Sequence, residues 1–166
     1  RLIKRNLRIT LTQNKNRKPQ RKPQRKPQRK PQRKQLMIKS VVIIGATSAI
    51  CHEAARGWAK RGYRFKLVGR NAEKLEIIKS DLLSYGAGDI KILNYDLLDY
   101  SSHDQLVQEI FSERINFFLM GHGTLLDQEK AKQVYDIAKL EIESNFVSYV
   151  SILTRMMPKL REQRSG

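Results

Sequence analysis

The residues of this chain best suited to do chemistry sit where apolar runs end. Gly45-Ala46-Thr47-Ser48 follows the run Val41-Val42-Ile43-Ile44 and leads into a helical pattern from Ala49 to Arg61. Free N–H groups at a helix start, together with the positive end of the helix dipole, make a receptor for a diphosphate. Gly45 lets the chain turn sharply, and Thr47 and Ser48 are small hydroxylated residues that suit a helix entry. Ala49 and Ile50 would then present the first helical amides. Gly69 and Arg70 follow a second apolar run, Phe65 to Val68. In a dinucleotide-binding unit the residue at this place lies beside the adenosine ribose. An acid there binds two ribose hydroxyls, whereas a cation suits a 2′-phosphate. Arg70 therefore points to NADP, with NAD as the alternative; its other reading is a solvated surface arginine.

These residues need a scaffold, and the sequence patterns supply one. Four consecutive β-branched residues at Val41–Ile44 mark a strand buried on both faces. The helix after it carries Ile50, Ala54, Gly57 and Trp58 on one face, and Gly62 stops it. With the strand at Phe65–Val68 this makes one βαβ unit, which must be parallel and right-handed. Asn71 caps a second helix with Leu75, Ile78, Leu82 and Leu83 as its apolar face. Ile90–Tyr95 reads as a third strand, and Ser101 or Ser102 can cap a helix that turns Leu106, Val107 and Ile110 inward. A fourth strand, Ile115–Met120, runs into Gly121-His122-Gly123. A short helix over Glu129–Tyr135 and a long one over Ile137–Lys159 follow. The long helix has Ile142, Phe146, Tyr149, Val150, Leu153 and Met157 as apolar positions. The alternation predicts an α/β fold: a Rossmann-type doubly wound parallel sheet of about four strands.

Charge divides the chain. The net charge is +17, yet residues Arg1 to Lys39 hold sixteen Lys or Arg and no acid, so the remainder is nearly neutral at +1. Arg17 to Gln32 is four copies of Arg-Lys-Pro-Gln. Proline at every fourth position blocks helix and central strand, and charge repulsion extends the chain. The expected organisation is a disordered basic tail over 1–36 and a dinucleotide-binding domain over 37–166. The tail could neutralise the phosphates of nucleic acid or an anionic surface. It carries no aromatics for base stacking. The single Cys51 excludes an internal disulfide and fits a reducing compartment, which gives a cytoplasmic expectation. No apolar run approaches the ~20 residues that span a bilayer.

At these residues the chain resembles the short-chain dehydrogenase/reductase family. The family's turn is Thr-Gly-x-x-x-Gly-x-Gly; Gly45 matches its first glycine, and Ala49 and Cys51 stand at the other two. The resemblance implies that Asp96, in Tyr95-Asp96-Leu97-Leu98-Asp99, accepts from the adenine amino group, with Leu97 beside it. The residues alone also allow a turn or cap role for Asp96. The family's Asn-Asn-Ala-Gly falls on Met120-Gly121-His122-Gly123, so only Gly123 matches and the asparagine hydrogen bonds do not transfer. Gly121 and Gly123 still permit close backbone approach to a cofactor. His122 either donates to a substrate or ribose or stabilises the loop. Asn145 matches the asparagine that holds a water in the family's proton relay, and the long helix is where many members dimerise. The wording Gly-Ala-Thr-Ser-Ala-Ile and Gly-His-Gly-Thr-Leu looks closest to members that reduce a lipid-linked keto-ribose.

The family's catalytic serine, tyrosine and lysine follow a fifth strand, and the sequence given reaches Gly166 before it. Tyr135 and Lys139 have the Tyr-x-x-x-Lys spacing but precede Asn145 and lack an upstream serine, so they read as a chance helical pair. The expectation is thus the cofactor half of an NAD(P)-dependent oxidoreductase, inactive alone, whose fourth strand leaves an apolar edge prone to association. The competing readings are a binding module acting through its basic tail and a decayed reading frame.

Overall fold

A computed structural model describes residues 38–164. The basic tail, and with it any nucleic-acid contact, lies outside the described residues.

The sheet has four parallel strands: β1 (Ser40–Ile44), β2 (Arg64–Gly69), β3 (Ile90–Asn94) and β4 (Phe117–Met120). Their order is β3-β2-β1-β4, the doubly wound pattern expected from the sequence. Ile43 stands opposite Leu67 on one side and Leu119 on the other. Every residue of β1 is buried, because strands flank it and helices cover both faces. Alternate residues serve opposite layers. Val41, Ile43, Phe65 and Leu67 pack on helices α1 (Ala49–Ala59) and α2 (Ala72–Ser84). Val42, Ile44, Val68 and Leu93 pack on α3 (His103–Ile110) and on α6 (Ser148–Gln163). Two helices, α4 (Gln128–Ala131) and α5 (Tyr135–Ile142), lie between β4 and α6.

The buried face of α1 is Cys51, Ala55 and Ala59 rather than the face expected from the large apolar residues. Ile50 is 82% exposed, and Ala54 and Gly57 are exposed too. Small side chains let the helix lie close on β1 and β2, so size decides the orientation and hydrophobicity does not. Polar contacts on its flank fix α1 to α2: Asp81 Oδ2 meets His52 Nε2 at 2.7 Å and accepts from Arg56 Nε at 2.9 Å, while Arg56 Nη2 reaches Oδ1 at 3.0 Å. Arg56 beside Asp81 holds that carboxyl below its ordinary range. Asn71 caps α2, its Oδ1 accepting from Lys74 N. Ser102 occupies the N-cap of α3 without a side-chain cap bond, and Asp99 instead accepts from Ser101 N.

The long C-terminal helix is not uniform. Between α5 and α6 a wider π turn spans Glu143–Val147 and contains Asn145. Its buried stripe is Ser144, Ser148, Ile152 and Met156. Ile142, Phe146, Val150, Leu153 and Met157 face outward at 59%, 65%, 47%, 41% and 45% exposure, leaving a continuous apolar ridge.

Lys66 is a buried cation in the middle of β2, at 2% exposure. Its Nζ donates to the carbonyls of Glu109 and Ile110 and to Ser112 Oγ at 2.8, 2.8 and 2.9 Å. These carbonyls close α3, where the helix dipole is negative, so the charge sits where it is best compensated. Burial lowers the Lys66 pKa, and Glu113 at 3.5 Å opposes that effect. Replacing Lys66 with Met would strand the buried Ile110 carbonyl, while Glu109 O keeps the Ser112 hydroxyl, at a cost of about 2 kcal/mol. Urea unfolding of Lys66→Met should show that loss, and an unchanged midpoint would contradict the capping role.

Candidate functional site

The chain runs from β1 out to β2 and β3 on one side, then returns to place β4 on the other. Ligands of open α/β sheets bind where the winding reverses in this way, beyond the carboxyl ends of the strands. A cleft of about 240 Å³ lies there. Gly45, Thr47 and Ser48 form one side, and Gly69, Arg70 and Tyr95–Leu98 line it beyond β2 and β3. Gly121–Thr124 with Ser144 and Ser148 complete it.

Its inner corner is built by backbone. The amides of Gly45 and Ala46 both donate to Val68 O, at 2.9 and 3.1 Å, which bends the chain off β1. Gly45 adopts φ +83°, and a Cβ there would lie 2.4 Å from His122 N. No other residue type fits both the conformation and the space. Ser48 starts α1 without using its side chain as a cap, and the first turn holds no acid. The Ala49 and Ile50 amides thus have no intrahelical acceptor. Both residues are exposed at the helix start rather than in the cleft wall.

Cys51, which stands where a glycine would ease packing, does not block this corner. It is 1% exposed and turned into the core, with its sulfur over Gly121. Burial pushes its thiol pKa up, against a smaller opposing effect of the Ser48 side chain.

The loop after β4 is held by the C-terminal helix. Gly121 N extends the β1 ladder by donating to Ile44 O at 2.9 Å. Asn145 Oδ1 accepts from Thr124 N and its Nδ2 donates to Thr124 O, both at 2.7 Å. The Ser148 hydroxyl donates to Ser144 O at 2.8 Å, so its oxygen accepts from His122 Nε2–H at 2.8 Å. Tyr149 stacks on His122 with centroids 4.0 Å apart and donates its hydroxyl to His122 O. The imidazole is therefore committed to the helix, which favours the loop-stabilising reading of His122. Its Nδ1 is buried without a partner.

The other expected residues are placed as follows. Arg70 is exposed at the end of β2 and, among the described residues, has no acidic partner. Asp96 is exposed and accepts from Leu98 N at 3.1 Å, which is the turn role, while still facing the cleft. Leu97 is buried beneath it. Tyr135 is 76% exposed and Lys139 pairs with Glu143 at 3.8 Å; neither lines the cleft.

The sequence reading missed Ser144, Ser148 and the contact made by Tyr149. The signal was present as a four-residue spacing through Ile152 and Met156, but two serines hide it from a hydrophobicity pattern. It also missed His103, fully buried between Leu97 O at 3.2 Å and Ser151 Oγ at 2.9 Å.

The parallel sheet, the glycine turn and the cleft at the reversal point define a Rossmann-type nucleotide-binding architecture. The sequence profile of the short chain dehydrogenase family matches residues 39–166, and the chain belongs to that family. It is 29% identical to Dehydrogenase/reductase SDR family member 7 of Mus musculus, over 76% of this chain and 39% of that protein. It is 30% identical to an uncharacterized oxidoreductase of Mycobacterium tuberculosis, over 76% of this chain and 51% of that one. The chain thus spans about half or less of the curated relatives it matches. Among solved structures, a short chain dehydrogenase from Shigella flexneri superposes with a TM-score of 0.65 at 25% identity, covering 72% of this chain and 55% of that one. A bulky-bulky ketone specific alcohol dehydrogenase from Comamonas testosteroni shares the fold, with a TM-score of 0.67 at 18% identity, covering 78% and 52%. No helix among the described residues is long and apolar enough to cross a membrane.

Two buried imidazoles make the fold acid-sensitive. Burial lowers the pKa of His103 and brings that of His122 down to about 4. Arg155 also disfavours charge on His103, while Asp99 and Asp104 favour it; Tyr149 and Ser148 face His122. An unfolded histidine titrates near 6.5, so below about that pH the unfolded chain binds protons that the folded chain refuses. Stability is full above that range and falls as pH drops towards the folded values. The melting temperature should decline by several degrees from about pH 7 to about pH 5, and a flat profile would contradict the burial of these rings.

Proposed function

We propose that this chain is the cofactor-binding part of an NADP-dependent short-chain oxidoreductase. The observation that carries the reading is the start of α1: acceptor-free amides, no acid in the first turn, and a glycine at φ +83° that turns the chain at the edge of the cleft beside them. The residues present fit a nicotinamide dinucleotide. Gly45, Thr47, Ser48, Ala49 and Ile50 would hold the diphosphate, by backbone amides and hydroxyls. Arg70, exposed at the cleft with no acidic partner among the described residues, would take a 2′-phosphate and favour NADP over NAD. Asp96 and Leu97 would meet the adenine, and Gly121 and Gly123 would let backbone approach the nicotinamide end. When bound, the dinucleotide supplies or accepts a hydride. Asn145 supports the site by fixing Thr124 rather than by touching a reacting atom.

Neither Tyr135 nor Lys139 lines the cleft, which supports reading the pair as a helical spacing and not as the site's acid and base. The exposed ridge Phe146–Val150–Leu153–Met157 supports self-association through the helix over 137–159. A free, buried Cys51 supports a reducing, cytoplasmic setting.

Fluorescence titration tests the cofactor reading. The full chain should bind NADPH more tightly than NADH, and Arg70→Glu should weaken NADPH by roughly tenfold or more while sparing NADH, as loss of a charge-assisted phosphate contact implies. Absence of binding to both nucleotides would overturn the reading; equal loss of both would remove the role of Arg70.

A further inference from the structure

Cys51 and Gly121 belong to different elements, yet neither residue's size makes sense without the other. Cys51 sits in the first turn of α1, and Gly121 follows β4. A Cβ built on Gly121 would lie 2.2 Å from Cys51 Sγ but 3.9 Å from Cys51 Cβ. The sulfur alone fills the space that a side chain at 121 would occupy. Ordinary carbon–sulfur contact needs well over 3 Å, so even alanine at 121 forces a displacement.

What would move is decided by how each partner is held. Gly121 cannot retreat: its amide is bonded to Ile44 O at 2.9 Å. The next residue, His122, is bonded to Ser148 at 2.8 Å, stacked on Tyr149, and pressed against Gly45 with no room for even a Cβ between them. Cys51 has its own neighbours, since it is 1% exposed in the core layer with Ala46 and Ala55. The softer direction is towards the start of α1, where Ser48 Oγ lies 3.9 Å from the same point and Thr47 and Ala49 are exposed.

We propose that Cys51 is a positioning residue, coupled to Gly121, whose thiol sets where the first turn of α1 stands against the cleft. The inference rests on the dinucleotide reading of that turn, because a displaced helix start carries its amides away from the diphosphate. It adds that the size of the residue at 121 controls affinity through the sulfur at 51, beyond the backbone approach that Gly121 gives the ligand.

A double-mutant cycle tests it, with NADPH affinity and melting temperature both measured. Introducing Gly121→Ala into the Cys51 chain should weaken NADPH at least tenfold and lower the melting temperature. Introducing the same change into a Cys51→Ala chain should weaken NADPH less than threefold, since the nearest atom is then a carbon at ordinary contact distance. If Gly121→Ala alone fails to fold, folding of Cys51→Ala/Gly121→Ala supports the coupling, and its failure too overturns it. Equal losses in both backgrounds, or no loss in either, would overturn the proposal. If the unmodified chain binds no dinucleotide, the functional reading fails by itself. The coupling is then judged on melting temperature alone, where the double variant must exceed Gly121→Ala.

Discussion

The start of α1 is the point on which the rest of the structure depends. A helix that begins without a side-chain cap, and with no acid in its first turn, leaves polar hydrogens that folding alone does not satisfy. That arrangement is tolerated because Ala49 and Ile50 are exposed at the helix start, beside the cleft that Gly45, Thr47 and Ser48 line. Gly45 is the enabling residue. Its positive φ and its contact with His122 N leave no room for a β-carbon, so the turn and the β4 loop can approach only there. The buried β1 strand then fixes the height of this corner in the sheet, through hydrogen-bonded neighbours on both sides.

The C-terminal helix supplies the other half of the geometry. A straight α-helix places groups three or four residues apart on one face. The π turn at Glu143–Val147 shifts that register by one position, and in the middle of it Asn145 reaches Thr124. Ser144, Ser148 and Tyr149 add contacts to the same loop from both sides of the shift. These contacts hold the loop, but they leave His122 Nδ1 and Thr124 Oγ1 buried without partners. Ile152 and Met156 continue the stripe into the apolar layer, so one helix face passes from site to core.

Much of this was legible in the sequence. The β-branched run at Val41–Ile44, the glycine after it and the strand–helix alternation point to the doubly wound parallel sheet of four strands. Asn71 as a cap and Gly45 as a sharp turn were readable because each has one dominant physical cause. The face of α1 was legible only in part: Trp58 is half-buried and packs on the core against Phe117, but Ile50 draws attention while Cys51, Ala55 and Ala59 make the close contact. The π turn carries no residue-type signature comparable to proline or glycine. The coupling of Cys51 with Gly121 was hidden for a different reason: seventy residues separate them in the chain, and only the fold sets their distance. The placement of Asp96 and Arg70 at one cleft followed from the end points of β3 and β2.

The central claim is that backbone amides at the start of α1 receive a diphosphate. It is tested most directly by amide-resolved NMR of the full chain during titration with NADPH and, separately, with inorganic pyrophosphate. The account expects the amide signals of Ser48, Ala49 and Ile50 to shift with both ligands, and those of Gly121 and Gly123 to shift with NADPH alone. Shifts confined to other surfaces, with the α1 amides unmoved at saturation, would contradict it.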